Sequence, residues 1–99
     1  MNFRLDYNRS AFAIFEVTFF GGLTPTWREE SGFPAIYATE QEAQIEIAEM
    51  LILQLGQFIA GEREFDDAQS ISDFILPVKV WSDGSIETER GRRFGAEPW

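Results

Sequence analysis

Between residues 61 and 67 the chain reads GEREFDD, two glutamates and two aspartates around one arginine, and Glu42, Glu46 and Glu49 precede it at spacings of four and three. Carboxylates so grouped can hold a divalent cation, act as an acid and base pair, present charge to a basic surface, or keep a small domain soluble. The first two uses need more than carboxylates. Histidine and cysteine are both absent, which removes the most frequent general base, the thiolate nucleophile and most transition-metal ligand sets. GEREFDD also lacks the alternating oxygen ligands and the glycine of a helix-loop-helix calcium site. A magnesium-dependent nuclease of the restriction type would place a carboxylate two residues before a strand lysine, and the single lysine, Lys79, has Pro77 there. The expectation is a chain with no catalytic residue, no metal and no cofactor, and hence not an enzyme.

Charge placement narrows the remaining uses. Residues 40–73 carry nine acids against Arg63 alone, a balance of −8 within a chain whose total is −9. Such a field repels nucleic-acid backbones and accelerates encounter with basic protein surfaces. On a helix, Glu42, Glu46 and Glu49 share one face, with Leu53 among them and Met50 at the edge. Together with Glu62, Glu64, Asp66 and Asp67 beyond the helix end, these residues form the expected partner-binding surface. The charges would set the encounter rate and the apolar groups the residence time.

These residues need a scaffold, and 99 residues with ten phenylalanines and three tryptophans are enough for one core without disulfide or metal. Phe3, Leu5 and Tyr7 alternate with polar residues, predicting a strand over 2–7, with a turn at Asn8-Arg9-Ser10. The run AFAIFEVTFF, residues 11–20, predicts a second strand. It places Ala13, Phe15, Val17 and Phe19 on one face and Phe12, Ile14 and Phe20 on the other. The second face offers an alternative use, self-association, so the chain is read as a monomer or a homodimer. Gly21-Gly22 ends the strand, residues 23–34 read as a loop, and 35–37 as a short third strand.

Thr39 and Glu42 have the spacing of a capping box, and Gly61 follows the last apolar repeat, predicting a helix over about 40–60. Its arc of Ile45, Ile47, Ala48, Leu51, Ile52, Leu55, Phe58 and Ile59 is expected to pack on the sheet. FILPVKVW reads as a strand in which Pro77 argues for an edge or a bulge. Ser82-Asp83-Gly84-Ser85 marks a hairpin into SIETE. The whole is an α+β domain over 1–90, an antiparallel sheet of about five strands in the order β-β-β-α-β-β against one long helix. Residues 91–99, with Arg90, Arg92 and Arg93 at the junction, read as a flexible tail. No membrane span and no signal segment is evident, so a cytoplasmic location is expected.

The succession of PAIYATEQEAQIEIAEMLILQL, GEREFDD and PVKVWSDGSI resembles small phage and prophage proteins. In size, charge and architecture the chain is similar to anti-CRISPR and related anti-defence inhibitors. That resemblance implies a protein-binding inhibitor or adaptor that occupies a basic, nucleic-acid-handling site on a host nuclease or CRISPR-Cas complex, in the manner of a DNA mimic. It transfers no individual residue.

Overall fold

Small and large apolar residues alternating along one strand decide where the core lies. The computed structural model describes residues 8–18 and 22–96, so the strand expected over 2–7 lies outside the described residues, as do Phe19, Phe20 and Gly21. The elements in order are β1 (Asn8–Val17), β2 (Leu23–Pro25), α1 (Glu40–Ile59), α2 (Phe65–Ala68), β3 (Phe74–Trp81), β4 (Ile86–Thr88) and β5 (Arg93–Phe94). The strands form one five-stranded sheet in the spatial order β2-β1-β3-β4-β5, every neighbouring pair antiparallel. Ala11, Ala13 and Phe15 stand opposite Val78, Leu76 and Phe74. Ala11, Ala13, Phe15 and Val78 form the core cluster with Val80 and Ile86, against which Phe74, Leu76, Leu23, Ile36 and Phe94 pack.

The fold class is the expected one, and several local assignments change. Asn8, Arg9 and Ser10 are no turn: they open β1 and pair with Trp81, Val80 and Lys79. Residues 35–37 contribute a single bridge between Tyr37 and Phe12 in place of a strand. The fifth strand comes from the arginine-rich segment, so the packed part of the chain runs past residue 90. Phe94 lies 5.7 Å from the Phe15 ring, and the Arg28 guanidinium donates to the carbonyls of Gly32 and Gly95.

Pro77 sits in a central strand, against the expectation of an edge or bulge, and the backbone explains why it is tolerated. Phe12 exchanges both backbone hydrogen bonds with Tyr37, so its pairing with Pro77 is of the kind in which neither residue bonds across the strands. The proline nitrogen therefore points away from β1. On that side β4 pairs with β3 only over Val78–Val80, and no ladder bond is lost.

Three turns share one construction, in which a residue accepts from a glycine three positions on and donates to the residue after it: Glu29 to Phe33, Trp81 to Ser85 and Thr88 to Arg92. At Trp81–Ser85 the glycine is required twice. Gly84 has φ +94°, a left-handed conformation costing an L-residue roughly 1–2 kcal/mol. A Cβ there would also stand 3.2 Å from the Phe33 ring, which packs over the turn. In α1, by contrast, a Cβ on Gly56 would meet nothing within 4 Å, and mid-helix glycine costs roughly 0.5–1 kcal/mol relative to alanine. Gly84→Ala is expected to lower stability by about 1–2 kcal/mol or more, and Gly56→Ala to raise it by up to about 1 kcal/mol. Urea unfolding midpoints of the two variants should therefore move in opposite directions.

Candidate functional site

The acidic surface begins at the helix cap. Thr39 is extended, and its Oγ1 accepts from the Glu42 backbone N–H at 3.1 Å. Glu42 reaches back one residue further than in the standard box, its Oε1 accepting from the N–H of Ala38 at 3.1 Å. One open donor of the first turn, and the N–H of the residue before the cap, are thereby satisfied. Glu42 thus has a capping role, and its charge also suits the positive end of the helix dipole.

Glu46 and Glu49 project into solvent further along, Met50 is half-buried, and Leu53 is exposed. The expected mixture of acids and an apolar side chain is therefore present on one face of α1. Half-buried Tyr37 lies within the field of Glu46. Burial pushes its phenol up to about 12, with the charges of Glu46 and then Glu29 acting in the same sense.

The rest of the expected site is a separate, ordered piece. α1 ends in a Schellman motif: Gly61, at φ +82°, donates to the carbonyl of Phe58, and Glu62 to that of Gln57. The chain then turns into α2, for which Glu64 is the cap residue, without a side-chain capping bond. Arg63 joins the pieces, its Nε donating to Gln57 Oε1 at 2.7 Å and its Nη1 pairing with Asp67 Oδ2 at 2.5 Å. Phe58 and Phe65 meet edge to face with centroids 5.2 Å apart. GEREFDD is thus a helical corner bound to the end of α1.

Glu62, Glu64 and Asp66 remain exposed there, while Asp67 is neutralised by Arg63. The two acidic groups are not contiguous, because residues 50–61 carry no charge. At 1.5 Å per residue, Glu49 and the end of α1 are about 15 Å apart. Among the described residues no three carboxylates are gathered in a metal-binding arrangement, and no helix is long and apolar enough to cross a membrane.

Arg92 and Arg93, unlike Arg63, are engaged away from this surface. Arg93 lies 3.6 Å from Asp83, donates to Ser85 Oγ and stacks over Trp81 at 4.7 Å, while Arg92 lies over Phe94. The Ser85 hydroxyl and then its backbone N–H, both bonded to Asp83, hold that carboxyl below the usual range, with Arg93 adding to the effect. The positive end of the molecule is engaged in its own hairpins.

Helix orientation is the largest correction. Only Ala43 of α1 is fully buried, and α1 touches β1 and β3. Ile47, Leu51 and Leu55 are half-buried, whereas Ile45, Ala48, Ile52, Phe58 and Ile59 are exposed. Relative to the expected arc the helix is rotated by roughly one residue step, about 100°. On the other apolar sheet face, Ile14 is buried within the chain and Phe12 is half-buried, while Phe20 lies outside the described residues. Ile45, Ile52 and Ile59, which the apolar arc places against the sheet, stand exposed instead.

Comparison with protein-family models, with curated proteins and with solved structures found no match. Fold and site together define an α+β domain with an acidic, partly apolar helix displayed on its surface. The raised Tyr37 phenol has a consequence for stability. Free tyrosine titrates near 10, so the folded state holds this proton more tightly. Stability from Tyr37 is fully present below about pH 10 and is lost as pH rises towards about 12. The drop in unfolding midpoint between pH 9 and pH 11 is expected to be smaller in Tyr37→Phe than in the parent chain.

Proposed function

We propose that this chain is a non-enzymatic protein-binding inhibitor or adaptor whose acidic surface occupies a basic, nucleic-acid-handling site on a larger protein complex, as an anti-defence inhibitor of phage origin would. One observation carries the reading: Glu46, Glu49 and Leu53 stand exposed on one face of α1 beside half-buried Met50, and no cation occurs in the helix to neutralise them. Long-range attraction from the carboxylates brings a basic partner in, and burial of Leu53 against it slows departure. Glu62, Glu64 and Asp66 supply a second contact beyond the helix end, with Arg63 orienting Asp67. The site's chemistry supports recognition of positive charge over catalysis, since neither histidine nor cysteine is present.

The test is affinity capture with the full chain from a bacterial lysate treated with nuclease, followed by measurement of the purified pair. A stoichiometric partner eluted by moderate salt is expected. The double variant Glu46→Lys/Glu49→Lys should bind that partner about tenfold or more weakly and with a shallower salt dependence, mainly through a slower association rate. A partner held equally well by the variant would remove this face from the proposal. Leu53→Ala should leave association unchanged and speed dissociation.

A further inference from the structure

β3 changes its company halfway along. Over Val78–Val80 it lies between β1 and β4, but over Phe74–Pro77 only β1 pairs with it among the described residues. The parity of the ladder says which groups are left over. Phe12 bonds away from β3 to Tyr37, and the Ile14 carbonyl accepts from Thr26 on that same far side. Their partners Pro77 and Ile75 therefore direct their backbone groups to the open side. That edge offers the N–H and C=O of Ile75 and the C=O of Pro77, none of which has a hydrogen-bond partner among the described residues.

The open edge borders a cleft of about 320 Å³, within the roughly 300–1,000 Å³ typical of ligand sites. Leu23, Leu76 and Pro77 form its apolar wall, and the turn after β4 forms its rim with Glu89, Arg90 and Arg92. Leu76 packs against the core cluster yet is only half-buried, so part of its surface is left for an apolar neighbour. The three charged side chains of the rim are exposed. Arg92 lies over the Phe94 ring, and Arg90 forms no ion pair among the described residues. Two cations against one acid make this rim positive in a chain whose net charge is −9.

Unpaired N–H and C=O groups along a strand edge are matched by another extended backbone, and an unpaired arginine by a carboxylate. We infer that β3 accepts an added strand here, an extended segment of a partner protein with an acid at its amino-terminal end followed by apolar residues. The added strand lies antiparallel to β3, as every neighbouring pair in the sheet does. Its residue opposite Ile75 exchanges both backbone bonds, and its residue opposite Pro77 donates to the proline carbonyl. The residue between them, opposite Leu76, projects its side chain to the face of Leu76 and fills the cleft. Antiparallel to β3 means parallel to the course of β4, so the added strand enters past the turn after Thr88, and its leading acid meets Arg90. This contact uses none of the acids of α1 and stands whether or not that helix binds a basic partner.

Titration of the full chain with the peptide acetyl-Glu-Val-Phe-Val-amide, followed by amide nitrogen–proton correlation spectra, tests it. Saturable shifts of the Ile75, Leu76 and Glu89–Arg92 amides are expected, with a Kd on the order of 1 mM. The amides of residues 50–60 in α1 should stay in place. N-methylation of the last valine, which lies opposite Ile75, removes the donor to the Ile75 carbonyl and should weaken binding about tenfold. Glutamine in place of the peptide glutamate, or the exposed-turn variant Arg90→Ala, should weaken it several-fold and flatten its salt dependence. No saturable shift up to roughly 10 mM peptide would overturn the inference. So would shifts that leave the Ile75 amide unmoved, or equal binding of the N-methylated peptide, since the cleft would then take an apolar side chain without an added strand.

Discussion

The ladder between β1 and β3 is the constraint on which the rest of the molecule depends. It joins Asn8–Phe15 to Phe74–Trp81, segments separated by most of the chain, so nearly all the loop-closure entropy is met in forming it. Its core face alternates Ala11, Ala13 and Phe15 against Val78, Leu76 and Phe74, and these pairs bring together the residues that exclude water. Every other strand is an addition to one side of this pair: β2 to the outer edge of β1, β4 and β5 to β3. The two prolines of β2 and β3 both fall at positions opposite Phe15 and Phe12 where the β1 ladder asks for no donor.

Once that pair is fixed, the connections follow from short-range chemistry. The segment between β2 and α1 makes its own turn at Glu29–Phe33, lays Phe33 over Gly84, and bonds through Tyr37 to the free edge of β1 at Phe12. This bridge delivers the chain to Thr39, where the cap starts α1. The helix then leaves the sheet with Ala43 as its only fully buried side chain. Its far end is held by another local assembly, Arg63 between Gln57 and Asp67 and Phe58 against Phe65. A helix supported in this way can display both acids and isoleucines, because the core is completed by Phe94, Ile36 and Leu23 without the full width of its apolar arc.

Display of mixed chemistry on one helix is what gives the acidic surface meaning. Glutamates alone would be an ordinary solvated face, and isoleucines alone an ordinary exposed stripe. Side by side on a rigid element they allow charge to govern approach and apolar contact to govern persistence. Arg92 and Arg93 are engaged by local partners, Asp83, Ser85, Trp81 and Phe94, while Arg63 pairs with Asp67 within the acidic surface itself.

The sequence by itself determined whatever depends on neighbours along the chain. The period of two in AFAIFEV, the Thr39 and Glu42 cap, the stop at Gly61 and the turn at Asp83-Gly84 each rest on backbone sterics or on hydrogen bonds within a few residues, and all four stand in the structure. So does the antiparallel α+β architecture that they imply. Tertiary structure decided whatever depends on which surfaces meet. Arg93 and Phe94 look like a polar tail until Ile86 and Phe15 offer them a strand edge and a core. Pro77 looks like an edge residue until the parity of the β1–β3 ladder turns its nitrogen outward. The wide apolar arc of α1 did not state which part of itself would be buried, because periodicity gives the width of a face and not the shape of what it packs on. The β1–β3 pair and the Ala43 contact made that choice, and left Ile45, Ile52 and Ile59 in the open.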